Sequence, residues 1–300
     1  MTHIQRPPAN PARFNASNRV ARTGKPGIVT APSFEIVRRA PSARLAGMIT
    51  GITGYRELVP GDWRQHEAAS LVVPLIISFG SPFLVALDRE PGESDGQPSF
   101  AAGLHPGPVR IRSDGYGECV QVDFTPLGAF RFFGGAMDDL SSRMIDIVDV
   151  LGADGRALRD RLGDLNNWQH RFDLVEAFVL ACDRYSPSAE LAHAYGRLAR
   201  SAGNERVSAL ADAVGWSRKH LAARFRAELG VGPKTIARIM RFERACQIAR
   251  AGTGWAAVAA DSGYADQAHL TREFAALAGE SPRAWARRAA LADPRLLRDG

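Results

Sequence analysis

The chain has 300 residues, of which 45% are hydrophobic and 23% charged, with 38 Lys and Arg against 32 Asp and Glu. That length accommodates two domains of ordinary size, and that apolar fraction gives each a core, which excludes a disordered or low-complexity protein. The longest apolar stretch, Leu71 to Leu84, is broken by Pro74, Ser78, Gly80 and Pro82, so no membrane-spanning helix and no membrane partner are expected.

Residues 1–30 hold Arg6, Arg13, Arg19, Arg22 and Lys25 and no acid, spread among Pro, Ala and Asn without hydrophobic periodicity. They read as a basic disordered arm, either a plain flexible tail or one that touches nucleic-acid phosphates. The segment has no apolar stretch leading to a small-residue cleavage site, so a secretory leader is not expected and the chain is assigned to the cytoplasm.

From residue 31 to 185 a β-rich region that closes with helices is expected. Its apolar residues first come in short runs: Phe34 to Val37, Leu71 to Phe79, Phe83 to Leu87, Val109 to Ile111 and Val120 to Phe124. Gly80-Ser81-Pro82 and the polar stretch Glu90 to Ser99 serve as connections, which predicts an antiparallel barrel or sandwich. Spacings of three and four then predict helices near Pro126 to Gly134, Arg156 to Leu162 and Asn167 to Ala181, the last carrying Trp168, Phe172, Val175 and Val179. The break Arg184 to Ser188 ends this pattern, and residues 186–189 read as a linker. The aromatic residues Tyr55, Phe79, Phe100 and Phe124 read either as core or as the lining of a ligand site. Cys119, Cys182 and Cys246 are odd in number and without a CxxC pair, so they read as small buried hydrophobes.

The region 190–290 contains an internal repeat, with a tail at 291–300. Leu210-Ala211-Asp212-Ala213-Val214-Gly215-Trp216-Ser217, leading to Leu221, Phe225 and Pro233, recurs as Val258-Ala259-Ala260-Asp261-Ser262-Gly263-Tyr264-Ala265, leading to Leu270, Phe274 and Pro282. The offset of 48 residues becomes 49 after one residue is added in the second turn. Each copy reads as a helix-turn-helix, in which the first helix braces a second that enters the major groove. Gly215 and Gly263 suit the tight turn, and Ser217 and Asp266 stand where the second helix needs a cap for its unpaired amides. Residues 190–290 hold 16 Lys and Arg against 9 Asp and Glu, so the chain's net positive charge lies with the repeat.

At 100° per residue, burial of Leu221 and Phe225 turns Lys219, Ala222, Ala223 and Arg226 outward. Burial of Leu270 and Phe274 exposes Gln267, Ala268, Thr271, Arg272 and, at the margin, His269. Arginine matches guanine O6 and N7, and glutamine matches adenine N6 and N7, whereas Arg218, Lys219 and Arg226 suit phosphates equally well. The expected DNA-binding residues are Ser217, Arg218, Lys219, Ala222, Arg226, Gln267, His269, Thr271 and Arg272. Between the copies, Ile236, Ile239, Met240, Ala245, Ile248 and Ala249 form the apolar stripe of a connecting helix.

The region from about Val207 to Arg287 resembles the DNA-binding domain of the AraC/XylS family of bacterial transcription regulators. The resemblance lies in Leu210-Ala211 to Ser217, Leu221 with Phe225-Arg226, Gly230 to Pro233, Arg241 to Ala245, Gly263-Tyr264 with Asp266, and Leu270 to Phe274 through Gly279 and Pro282. It implies a seven-helix domain whose two recognition helices enter successive major grooves. Two positions depart from the family pattern: Ala223 stands where Arg is common, and Ala275 where Lys is common. Family members often add a cupin-like barrel that senses a small molecule or dimerises, and the segments Gly54 to Glu57, Phe100 to Leu104 and Phe124 to Ala129 resemble part of some of these regulators.

The expected fold is therefore α+β, a β-rich cupin-like barrel or sandwich with helices followed by an all-α domain. The expected function is a ligand- or dimerisation-controlled regulator of transcription, not an enzyme, bound to double-stranded promoter or operator DNA. RNA polymerase, a small-molecule effector and a second copy of the chain are further candidate partners; no cofactor, metal or catalytic residue is assigned. Three rivals remain. A metal-dependent cupin enzyme would use residues such as His66, Glu67 and His105, which lack the usual spacing. A DNA-repair methyltransferase would need an activated cysteine, and a partner protein that has lost DNA binding would fit Ala223 and Ala275.

Overall fold

The computed structural model describes residues 34–58 and 60–292. The expected basic arm lies outside the described residues, as does the tail from residue 293. Among the described residues ten strands precede or border the first helices: β1 (Phe34–Arg39), β2 (Ile49–Glu57), β3 (Trp63–Glu67), β4 (Val73–Ser78), β5 (Phe83–Leu87), β6 (Gly96–Gln97), β7 (Ser99–Ala102), β8 (Val109–Ser113), β9 (Glu118–Phe124) and β10 (Met144–Asp146). They form two sheets with strand orders β1-β2-β9-β4-β7-β10 and β3-β8-β5-β6, every pairing within them antiparallel.

The architecture is a sandwich, and β9 shows why. Its side chains alternate between two apolar environments: Val120, Val122 and Phe124 join the main core, while Cys119 joins a smaller cluster with Tyr55, Ile76, Phe83, Val85 and Phe100 between the sheets. Tyr55, Phe100 and Phe124 are thus core residues, with Phe79 packed at the edge. Inside the smaller cluster the buried carboxylate of Glu57 accepts from Tyr55 OH, Ser113 Oγ and Gly117 N at 2.8, 2.6 and 3.0 Å. Three hydrogen bonds offset its loss of water.

Four helices cover the outer face of the larger sheet: α1 (Pro126–Phe133), α2 (Met137–Leu140), α3 (Ile147–Asp164) and α4 (Trp168–Ala181). Thr125 caps α1, accepting from Gly128 N at 2.9 Å, and Phe124, Phe132 and Phe133 stack behind it with ring centroids 4.7–5.6 Å apart. A side chain at Gly128 would place Cβ 1.8 Å from the carbonyl oxygen of Met48, so only glycine lets α1 approach the sheet. On α4 the guanidinium of buried Arg171 lies between the rings of Phe79 and Trp168 and donates to Glu118 at 2.6 Å.

Seven helices follow in the described residues: α5 (Ala189–Arg200), α6 (Val207–Ala213), α7 (Arg218–Leu229), α8 (Pro233–Arg250), α9 (Trp255–Asp261), α10 (Gln267–Ala278) and α11 (Pro282–Ala292). Their core is continuous with that of the sandwich, running from Phe133, Met137 and Leu140 into Leu221, Phe225 and Leu229. The segment expected to break the helical pattern is irregular but held in place. Tyr185 N donates to Arg131 O, and Ser188 donates through both N and Oγ to the buried carboxylate of Glu228. No helix among the described residues is long and apolar enough to cross a membrane.

Several local expectations are corrected. The helix read from Arg156 is the second part of α3, which starts at Ile147 and kinks at Gly152 (φ +61°). β2 and β3 fall where no strand was read, and the connection Glu90 to Ser99 contains β6, which pairs with Phe83 and Leu84.

Candidate nucleic-acid interface

The two repeat copies fold alike, bond for bond. At the end of α6, Gly215 N donates to Asp212 O and Trp216 N to Ala211 O at 3.2 and 3.0 Å; at the end of α9, Gly263 N donates to Ala260 O and Tyr264 N to Ala259 O, again at 3.2 and 3.0 Å. This paired closure requires a left-handed residue, supplied by Gly215 (φ +69°) and Gly263 (φ +78°). The second helix of each copy is then capped as the sequence suggests. Ser217 Oγ accepts from His220 N at 3.1 Å, and Asp266 Oδ1 accepts from His269 N at 2.6 Å. Gly230 and Gly279 end α7 and α10 in the left-handed conformation, and Pro233 and Pro282 open the next helices.

Leu221, Phe225, Leu270 and Phe274 are fully buried and fix the rotation of α7 and α10. Ser217, Arg218, Lys219 and Arg226 are exposed on the first copy, and Gln267, Thr271 and Arg272 on the second. Ala222 and His269 are half-buried. The imidazole of His269 stands edge-on to the Tyr264 ring at 5.2 Å, which makes it part of the turn's packing as well as a margin residue. Ala223 and Ala275, the two departures from the family pattern, are both exposed.

Ion pairing divides the arginines into two groups. Arg224 pairs with buried Glu228, Arg238 with Glu273, Arg288 with Glu280 and Arg197 with Glu205. These charges are neutralised within the fold, and Arg224, adjacent to Ala223, is therefore no replacement for a missing DNA contact. Arg218, Lys219, Arg226 and Arg272 have no acidic partner among the described residues, leaving their charge and donors free for a phosphate or a base. Thr271 spends its hydroxyl hydrogen on Gln267 O at 2.8 Å, so toward a ligand it offers an acceptor and a methyl group.

Arg206 and Arg283, which sequence reasoning did not single out, are exposed beside the starts of α6 and α11 and lack an acidic partner among the described residues. The available signal was indirect. Their nearest acids, Glu205 and Glu280, are engaged by Arg197 and Arg288.

Glu67 and His105, invoked by the metal-site reading, line one cavity between the sheets without forming a ligand set. His66 hydrogen-bonds the backbone of Ala278, while His105 lies between Asp88 and Ser142. No group of three His, Cys, Asp or Glu among the described residues is placed to hold a metal ion. Burial pushes the thiols of Cys119, Cys182 and Cys246 up, the reverse of what an activated nucleophile needs.

A family model described as a helix-turn-helix domain matches residues 210–288. No curated protein matches the chain. Among solved structures the chain is similar to ToxT from Vibrio cholerae O395, with 9% identity, 86% of this chain and 97% of that one covered, and a TM-score of 0.43. It is also similar to the AraC-like transcriptional activator CuxR, with 14% identity, coverage of 74% and 84%, and a TM-score of 0.32. The paired units make residues 210–288 a helix-turn-helix domain.

Proposed function

We propose that the chain is a sequence-specific regulator whose α7 and α10 occupy two successive major grooves of promoter DNA. The observation that carries this reading is the pairing of two identically closed and capped turns with unpaired cations on the exposed side of each following helix. Arg272 and Gln267 act as base readers on α10. Arg218, Lys219 and Arg226 anchor phosphates on α7, with Ser217, Ala222, His269 and Thr271 completing the surface. Residues 190–290 form the DNA-binding domain, joined at 186–189 to a regulatory domain spanning 31–185. That regulatory domain responds to a small molecule or dimerises, and the regulator acts on cytoplasmic DNA, with RNA polymerase as a further partner.

Selection of bound sequences from random DNA tests the reading. Two conserved half-sites with centres roughly 34–36 Å apart are expected. Enrichment of no sequence over background would refute it.

A further inference from the structure

Thr271 is exposed on α10, one turn after Gln267 and directly before Arg272. Its hydroxyl donates to Gln267 O at 2.8 Å. This bond folds Oγ1 back on the preceding turn and selects one of the rotamers open to threonine in a helix. A hydroxyl carries a single hydrogen, so Thr271 keeps no donor for a base edge. The group it leaves at the surface is the γ-methyl.

A threonine side chain is short, so its methyl meets a base only where the helix can come close to the floor of the groove. On α10 the neighbours along the same side allow this. Ala268 stands three residues before Thr271 and Ala275 four after it, both exposed, and neither extends past Cβ. The equivalent position on α7 is Ala222, and there the same spacings hold Lys219 and Arg226, exposed side chains long enough to keep the backbone at a distance. Of the two helices, α10 is therefore the one shaped for a methyl contact. Base edges in the major groove carry nitrogen and oxygen donors and acceptors, with one hydrocarbon group among them, the C5-methyl of thymine. Seating the Thr271 methyl on a polar edge would strip that edge of water with nothing in return, whereas two methyl groups desolvate each other favourably.

We infer that Thr271 determines specificity by reading the C5-methyl group of a thymine in the half-site occupied by α10, its hydroxyl serving to orient the methyl and not to bond a base. The inference rests on the reading of α10 as a major-groove helix. The chemical class recognised is a 5-methylpyrimidine: cytosine carrying the same methyl group satisfies the contact, and unmodified cytosine and uracil do not.

Burial of one methyl group corresponds to about a fourfold change in affinity. Each thymine of the selected DNA is replaced singly by deoxyuridine, and binding of the full chain is followed by fluorescence anisotropy. One replacement in the α10 half-site should weaken binding about fourfold. At that position a cytosine paired with guanine should bind about fourfold more tightly when methylated at C5. Thr271→Val, which keeps a methyl and removes the hydroxyl, should retain the difference between thymine and uracil. Thr271→Ser, which keeps the hydroxyl and removes the methyl, should abolish it. A half-site without thymine, no thymine whose replacement matters by more than about twofold, or no response to cytosine methylation would overturn the inference. So would a thymine preference that survives in Thr271→Ser, or its loss in Thr271→Val, which would assign the contact to the hydroxyl. The modified-base measurements use the unaltered chain and stand even if a variant fails to fold. Failure of the unaltered chain to bind any DNA sequence would instead overturn the functional reading beneath the inference.

Discussion

At the scale of single residues, ion pairing separates arginines engaged within the fold from those with no acidic partner among the described residues. Arg272→Ala should weaken binding to the selected site by about 1–3 kcal/mol and flatten preference at one base pair, as measured by competition with single-base variants. Arg226→Ala should weaken binding to all sequences similarly and reduce the slope of log affinity against log salt by about 1. Arg224→Ala should behave differently: the salt slope stays, and stability in urea falls by about 1–3 kcal/mol, because the carboxylate of Glu228 loses its cation while remaining buried.

His66 provides a pH test at the interdomain contact. Burial, then the positive charges of Arg110 and Arg288, lower its pKa to about 4. The folded protein keeps the ring neutral while the unfolded chain protonates near 6.5, so stability should fall as pH drops from about 6.5 to 4. The loss should be about 1–2 kcal/mol once solvent screening is allowed for. His66→Gln should flatten denaturation midpoints over that window; an unchanged pH profile would remove His66 as its source.

At the scale of elements, caps and turns carried most of the legible information. Ser217 and Asp266 could be recognised because a cap is a local arrangement of one side chain and an amide three residues on. Replacing either with Ala should lower the melting free energy by about 1 kcal/mol. Gly215→Ala should cost about 1–2 kcal/mol from its positive φ alone, since nothing lies within 4 Å of the added Cβ. Gly230→Ala should cost more, because its Cβ would also approach the backbone oxygen of Met137 at 2.7 Å. Thermal melts of the two variants side by side would check the order.

The elements that escaped sequence reading are those whose reason is tertiary. β2 carries Gly51 and Gly54, which a local pattern reads as interruptions. Yet a Cβ at Gly54 would fall 2.5 Å from the ring of Trp168, more than a hundred residues away. β3, Trp-Arg-Gln-His-Glu, is an edge strand of the smaller sheet with little apolar alternation to betray it. Arg224 differs from Arg226 locally in having an acid, Glu228, one helical turn on. What the spacing does not show is that Glu228 is buried beneath the linker and also accepts from Ser188, which ties the pair to the fold.

At the scale of the whole molecule, the two halves share one apolar core that passes from the helices over the large sheet into α7 and beyond. A fragment starting at Ser188 should retain sequence preference, since the paired units are complete within it. It should also melt at lower temperature than the full chain, because Leu221, Phe225 and Leu229 lose apolar neighbours. Calorimetry of both proteins would show this.

The shared core also shapes what a genetic screen would recover. If the halves lend each other stability, substitutions that silence a promoter should not cluster in α7 and α10, the helices proposed to meet DNA. Many should map to α1, α2 and the chain around Ala69, whose N donates to Leu277 O, at positions far from any phosphate. A fraction of them should regain activity at lower growth temperature, whereas changes at Arg272 should not.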